Sequence, residues 1–306
     1  MAVPVAAGTP QYSGNFIPEI WSGNILIKFY ATTVLAAISN TEYEGEIKTK
    51  GDKVNIRTVP DITIRKYKKN QDLEIEHPDS PMVELTIDQA NYFNFICDDI
   101  DKHQSDLPLM DKFSDDAGQQ MGIFIDTEIL ADIYADADTY NAGLTAGKIS
   151  GDLNFGVTGT PLPITKASVL DVLVDCRTGL SEQNVPKQNR WGVIPEWMAG
   201  MIMKSDLKDA SLAGDGTSIM RNGRIGMIAD LTLYESNLLY YVTDGSYRAY
   251  HALVGHKSAL SFASQMTNME SLRTSRTFGT LVRGLNVYGY QVLKGGSLID
   301  LYIRKG

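Results

Sequence analysis

The strongest constraint on the fold is an excursion of roughly 40 residues that alternates like β-strand yet supplies little core, far longer than the usual connection inside a compact domain. It opens with GDKVNIRTV, residues 51 to 59, where Val54, Ile56 and Thr58 share one face and Lys53, Asn55 and Arg57 the other. Pro60-Asp61 interrupts that run. ITIRKYKKNQDLEIEH, residues 62 to 77, then carries a basic cluster of Arg65, Lys66, Lys68 and Lys69 followed by Asp72, Glu74 and Glu76, with few apolar side chains for a core. PMVELTID closes the excursion. Its alternation argues against disorder, and an isolated two-stranded ribbon is only marginally stable in water. The ribbon therefore calls for a stabilising surface on another chain. A plainer reading of the basic cluster is a solvated hairpin tip whose lysines discourage edge pairing.

Elsewhere the pattern mixes helix and strand. Residues 1 to 24 are rich in small residues, Pro and Gly, with isolated anchors Phe16, Ile17, Ile20 and Trp21, which reads as an extended arm that needs a surface to lie on. ILIKFYATTVLAAI, residues 25 to 38, is long enough for a buried helix, although its β-branched residues leave a strand open. Ser105 or Asp106 can cap a helix with Pro108 in its first turn. Met110, Phe113, Ala117, Met121, Phe124, Ile125, Ile129 and Ile133 recur at spacings of three and four, predicting one long helix over about 107 to 137 with a single apolar stripe. Gly118 and Gly122 each cost that helix roughly 1 kcal/mol relative to Ala, so they point to a close neighbour. A second helix is expected over Ile164 to Leu180, then a strand stopped at Pro195 with a helix starting there, then a strand-rich remainder. The fold class is α+β, with helices and strands segregated.

Composition narrows function. A chain of 306 residues, 43% hydrophobic and 21% charged, can bury a substantial core, and its net charge of −9 argues against nucleic-acid binding by the whole surface. Cys97 and Cys176 are far apart and outside any CxxC, so they indicate neither a disulfide framework nor zinc and fit a reducing compartment. No secretion signal or long uncharged apolar run is present, so a soluble, non-membrane protein is expected. Motifs of catalysis are imitated only. Gly143-Leu-Thr-Ala-Gly147-Lys148 is one residue short of a phosphate loop and lacks the following Ser or Thr. Gly214-Asp-Gly216 has Ile219 at the third glycine position of a dinucleotide fingerprint. His77, His103, His251 and His256 include no pair at the helical metal-binding spacing. No catalytic, cofactor-binding or metal-ligating residue is assigned. Glu128, Asp132 and Asp136, four apart near the end of the long helix, form a ladder of like charges unfavourable to one another and to the helix dipole. A solvated acidic face is the plain reading, ahead of a basic neighbouring chain and of a bound divalent cation.

The order of FIPEIWS, GDKVNIRTVPDITIRKY, VELTIDQANYFNFICDDIDKHQS, the long helix, NGRIGMIADLTLYESN, GHKSALSFASQM and TFGTLVRGLNVYGYQVLK resembles the major capsid proteins of tailed bacteriophages, of the Hong Kong 97-type fold. The resemblance runs over nearly the whole chain. It implies an N-arm over 1 to 24, the start of a peripheral domain over 25 to 47, an E-loop over 48 to 90 that lies across a neighbouring subunit, and peripheral domain with a spine helix (105 to 139) over 91 to 140. An axial domain over 141 to 262 and closing peripheral strands over 263 to 306 complete it. It implies a non-enzymatic shell protein of the virion capsid, assembled in the host cytoplasm from hexamers and pentamers and enclosing DNA without sequence-specific binding. Portal and decoration proteins would be partners, and, for a full gene product, an arm so near Met1 makes scaffolding either the work of a separate protein or unnecessary. Inter-subunit contacts are expected from Phe16, Ile17, Trp21, Arg65, Lys66, Lys68, Lys69, Asp72, Glu74, Glu76, Glu128, Asp132 and Asp136. The alternatives are an encapsulin-like compartment enclosing enzyme cargo and, in another class, a metal-dependent enzyme using the carboxylates at 128, 132 and 136.

Overall fold

The structure, a computed structural model, describes residues 30–31, 33–43, 53–57, 59–60, 62–79, 82–99, 109–205, 227–274 and 277–306. The helix expected over 25 to 38 is, among these, a single turn, α1 (Leu35–Ile38). Thr33 and Val34 stay outside the turn, Val34 at φ −122° and ψ −12°, and as β-branched residues they gain little from helix. The carboxylate of Asp126, 92 residues away, accepts the Val34 amide at 2.5 Å and fixes where the turn begins. Residues 25 to 29 lie outside the described residues.

The excursion is one antiparallel hairpin. Strand β1 (Lys53–Arg57) pairs with β2 (Met82–Thr86), with Lys53 opposite Thr86 and Arg57 opposite Met82. The register continues beyond the strands: Thr63 meets Glu76, Arg65 meets Glu74, and Lys68 meets Gln71, the paired residue numbers always adding to the same total. At the tip Asn70 adopts φ 64°, the left-handed conformation asparagine tolerates in a tight turn.

The hairpin is rooted on a three-stranded antiparallel sheet of β3 (Gln89–Asp98), β10 (Leu260–Arg273) and β11 (Gly279–Val292), with β11 central. Val54, Ile56, Leu85 and Ile87 pack there against Ala263 and Val287. Gly289 makes the crossing possible, since a Cβ on it would stand 2.1 Å from the Thr86 carbonyl oxygen. Helix α2 (Leu109–Leu130) runs beside this sheet, with Phe113 edge-on to Phe95 at 5.9 Å between ring centroids.

The helix expected to reach 137 stops at Leu130, and Ile133–Asp136 form a separate 3-10 turn. Docking ends it: Ile133 is fully buried, and the Tyr134 ring stacks on His251 at 3.9 Å. The capping residues proposed at 105, 106 and 108 lie outside the described residues.

Among the described residues the second sheet has seven strands: β4 (Leu162–Ile164), β5 (Arg190–Ile194), β6 (Met227–Ile228), β7 (Leu231–Glu235), β8 (Tyr241–Asp244), β9 (Tyr247–His256) and β12 (Leu298–Lys305). Its order is β4-β12-β9-β5-β7-β6, with β8 on β9. Helices α3 (Val169–Glu182) and α4 (Glu196–Lys204) cover one face through Leu173, Cys176, Met198 and Ile202. The other face holds Trp191, Val193 and Leu253 against Ile129, Leu130 and Ile133 of the α2 end and against Tyr288 of β11. Two expectations change. Ile164 belongs to strand β4, not to the second helix, which starts at Val169. The last strand, grouped by sequence with 263 to 306, pairs instead with β9 and β4, because its run of buried residues needs cover on both faces. Arg190, 1% exposed, caps the end of α3 and its following loop by donating to the carbonyls of Arg177, Val185 and Pro186.

Candidate functional site

The hairpin beyond its base is solvent-exposed throughout residues 62 to 77. Directly opposed residues of an antiparallel pair point to the same face. Thr63, Arg65, Glu74 and Glu76 therefore occupy one face, and they satisfy one another: the Thr63 amide and hydroxyl donate to Glu76 at 3.1 and 3.2 Å, and Arg65 forms an ion pair with Glu74. Ile62, Ile64, Leu73 and Ile75 fall on the other face, continuing the line of Val54, Ile56, Val83 and Leu85 at the base. They remain 65%, 92%, 77% and 83% exposed. This apolar face is what sequence reasoning underrated, although the alternation of ITI and LEI already carried it. Lys66, Lys68 and Lys69 form no ion pair among the described residues, and Asp72 is exposed. Phe16, Ile17 and Trp21 lie outside the described residues.

Glu128, Asp132 and Asp136 do not form one helical ladder, since only Glu128 is on α2. Tyrosines from β11 meet the first two. The Tyr288 hydroxyl donates to Glu128 at 2.7 Å and accepts from Asn91 at 2.8 Å, and the Tyr290 hydroxyl donates to Asp132 at 2.9 Å. Burial first, and then the bonded carboxylate, push both tyrosines well above the ordinary phenol value. Asp136 is raised by partial desolvation and by the charge of Asp132. The tyrosines thus tie the end of α2 to the sheet. Among the described residues no group of three His, Cys, Asp or Glu side chains is placed to hold a metal ion.

The remaining candidates have structural duties. In the loop that imitates a phosphate site, the amides of Ile149 and Ser150 donate to Glu182 at 2.8 and 3.2 Å, so an internal carboxylate fills the place an anion would take. The Ile149 bond leads in holding the Glu182 carboxyl below its usual range. His251 is buried, with Nδ1 2.9 Å from Asp300, stacked with Tyr134 and Tyr240 and tilted against Tyr302. Burial, ahead of the Asp244 carboxylate that accepts its hydroxyl at 3.2 Å, pushes Tyr302 up to about 12. Cys176 is fully buried, and its thiol is driven up by desolvation, which suppresses the reactive thiolate. Among the described residues no helix is long and apolar enough to cross a membrane.

The sequence profile of the phage capsid protein family matches residues 87–296. The chain belongs to the phage capsid protein family. It is a structural shell protein of the capsid, and the α+β architecture above is that of capsid subunits. A solved chain from Mycobacterium phage Che8 is similar with a TM-score of 0.77 and 29% identity, covering 94% of this chain and 97% of that one. The capsid structure of cyanophage P-SCSP1u gives 0.71 at 16% identity over 95% and 94% of the two chains. The capsid of Ralstonia phage GP4 gives 0.62 at 13% identity over 98% and 99%. No curated protein sequence matches the chain.

Proposed function

We propose that this capsid protein closes into an icosahedral shell through hexamers and pentamers around the double-stranded DNA of a tailed phage, each copy laying its 53–86 hairpin on an adjacent copy. One observation carries the reading: the hairpin satisfies its own polar face and leaves four large aliphatic side chains in water, a combination that marks a surface for a partner. Head-to-tail use of a donor hairpin and a separate acceptor surface is what ring closure requires, because a self-complementary patch would stop at a dimer. The role needs no catalysis. Assembly in the host cytoplasm, with portal and decoration proteins as partners, belongs to the same reading. In it the hairpin is the E-loop, α2 the spine helix, and the seven-stranded sheet the axial domain with β12 included. Deleting residues 62 to 77 tests it. Soluble, folded protein that no longer forms shells is expected; normal shells from that variant would overturn it.

A further inference from the structure

The proposed hairpin contact needs an acceptor, and α2 presents a surface fitted to it. None of residues 110 to 124 on that helix is fully buried, although Met110, Phe113, Ala117 and Met121 keep an apolar spacing. Between the helix and the three-stranded sheet lies a groove of about 300 Å³ lined by Phe93, Gly118, Met121, Gly122, Met269 and Leu285. A glycine inside a helix is destabilising unless something must come close. A Cβ on Gly118 would meet nothing within 4 Å, so no neighbour within the described chain explains it. Asp111 and Asp115 stand on the same helix row, seven residues before Gly118 and Gly122 respectively, exposed and without an ion pair among the described residues.

Resting on the reading that the hairpin docks on another copy, we infer that Ile62, Ile64, Leu73 and Ile75 enter this groove against Gly118 and Gly122 of the neighbour. Lys66, Lys68 and Lys69 then reach Asp111 and Asp115 of that same neighbour. Charge and length both select this occupant and its polarity. The hairpin is apolar along its shaft and basic at its tip; the acceptor is apolar at the glycines and acidic toward the helix start. Ile64 and Lys68 are four strand residues apart, roughly 13 Å. The centres of the glycine and aspartate pairs are seven helical residues apart, roughly 10 Å along the axis. The difference is within a lysine side chain. The hairpin tip therefore points toward the N-terminal end of the neighbour's α2.

Zero-length carbodiimide crosslinking of assembled particles, made from mixed isotope-labelled and unlabelled protein and read by mass spectrometry, tests the pairing in the unaltered chain. Inter-copy links from Lys66, Lys68 or Lys69 to Asp111 or Asp115 are expected. Links from those lysines only to other carboxylates of another copy, or no links, overturn this inference and leave the wider docking role standing. Links confined within one copy overturn both. As a second arm, Gly118→Leu should raise the melting temperature of the unassembled protein, because leucine favours helix, and yet reduce shell yield at least tenfold. Normal shells from Gly118→Leu refute the acceptor.

Discussion

Replacing Ile64 and Ile75 together by Asp separates assembly from folding. Both side chains are almost fully exposed and sit opposite one another near the middle of the hairpin, so the isolated fold loses no packing. Surface substitutions of this kind change stability by no more than about 0.5 kcal/mol. On docking, each isoleucine would leave water, a transfer of about 1.5–3 kcal/mol. Two of them supply about 3–6 kcal/mol per contact as an upper bound, since ordering of the interface offsets part. Even the lower end is roughly a hundredfold in the association constant of one contact, and a closed ring uses the contact at every junction. Sedimentation velocity of the double variant should show shells and rings replaced by monomer, with the thermal unfolding midpoint of the unassembled protein unchanged. Shells in normal yield would refute the argument. A large fall in the midpoint would refute it differently, by showing that these side chains support their own chain.

Other predictions concern the framework behind the hairpin. Tyr288→Phe should cost about 1.5–3 kcal/mol in urea unfolding, the worth of a charge-assisted hydrogen bond to the half-buried Glu128; a double-mutant cycle with Glu128→Gln should return most of that as coupling. Arg190→Met should cost about 2 kcal/mol, because the carbonyl of buried Val185 loses its donor while the desolvation of a buried cation is relieved; no change on unfolding would refute its capping role. Gly289→Val should disturb the crossing of β2 over β11 and reduce assembly more than it reduces secondary structure, as circular dichroism and light scattering together would show. Asp126 has its carboxyl raised, burial outweighing the bonds from Val34 and Leu35. The folded state then binds more protons than the unfolded state above the ordinary carboxylate value near 3.9, so this group's contribution falls as pH rises through the raised value. Asp126→Asn, which keeps an acceptor, should flatten that part of the stability profile; an unchanged slope would show that other carboxyls set it.

Local pattern made the hairpin and α2 legible in the sequence. Alternation at 53–57 appears in the structure as written, and the α2 stripe is followed from Leu109 onward. What failed depended on partners distant in sequence. The stripe pointed past Leu130, but Tyr134 is claimed by His251 of strand β9, more than a hundred residues later, and Ile133 by the core beneath the same sheet. The like charges at 128 and 132 looked uncompensated because their tyrosine donors sit 160 and 158 residues away. Neutral phenols leave no charge pattern to search for. Likewise, β12 has the composition of a buried strand, and only topology decides that it joins β9 instead of extending the sheet of β10 and β11. On the hairpin, attention to charge obscured the apolar face, because Arg65 and Glu74 could not be paired until the register was known.

The most direct test of the account is a cryo-electron microscopy reconstruction of the assembled particle at side-chain resolution. The account predicts Ile62, Ile64, Leu73 and Ile75 of each copy buried against a neighbouring copy, with the lysine-bearing tip beside carboxylates of that neighbour. A hairpin lying in solvent, or folded back on its own chain, within an otherwise closed shell would contradict it.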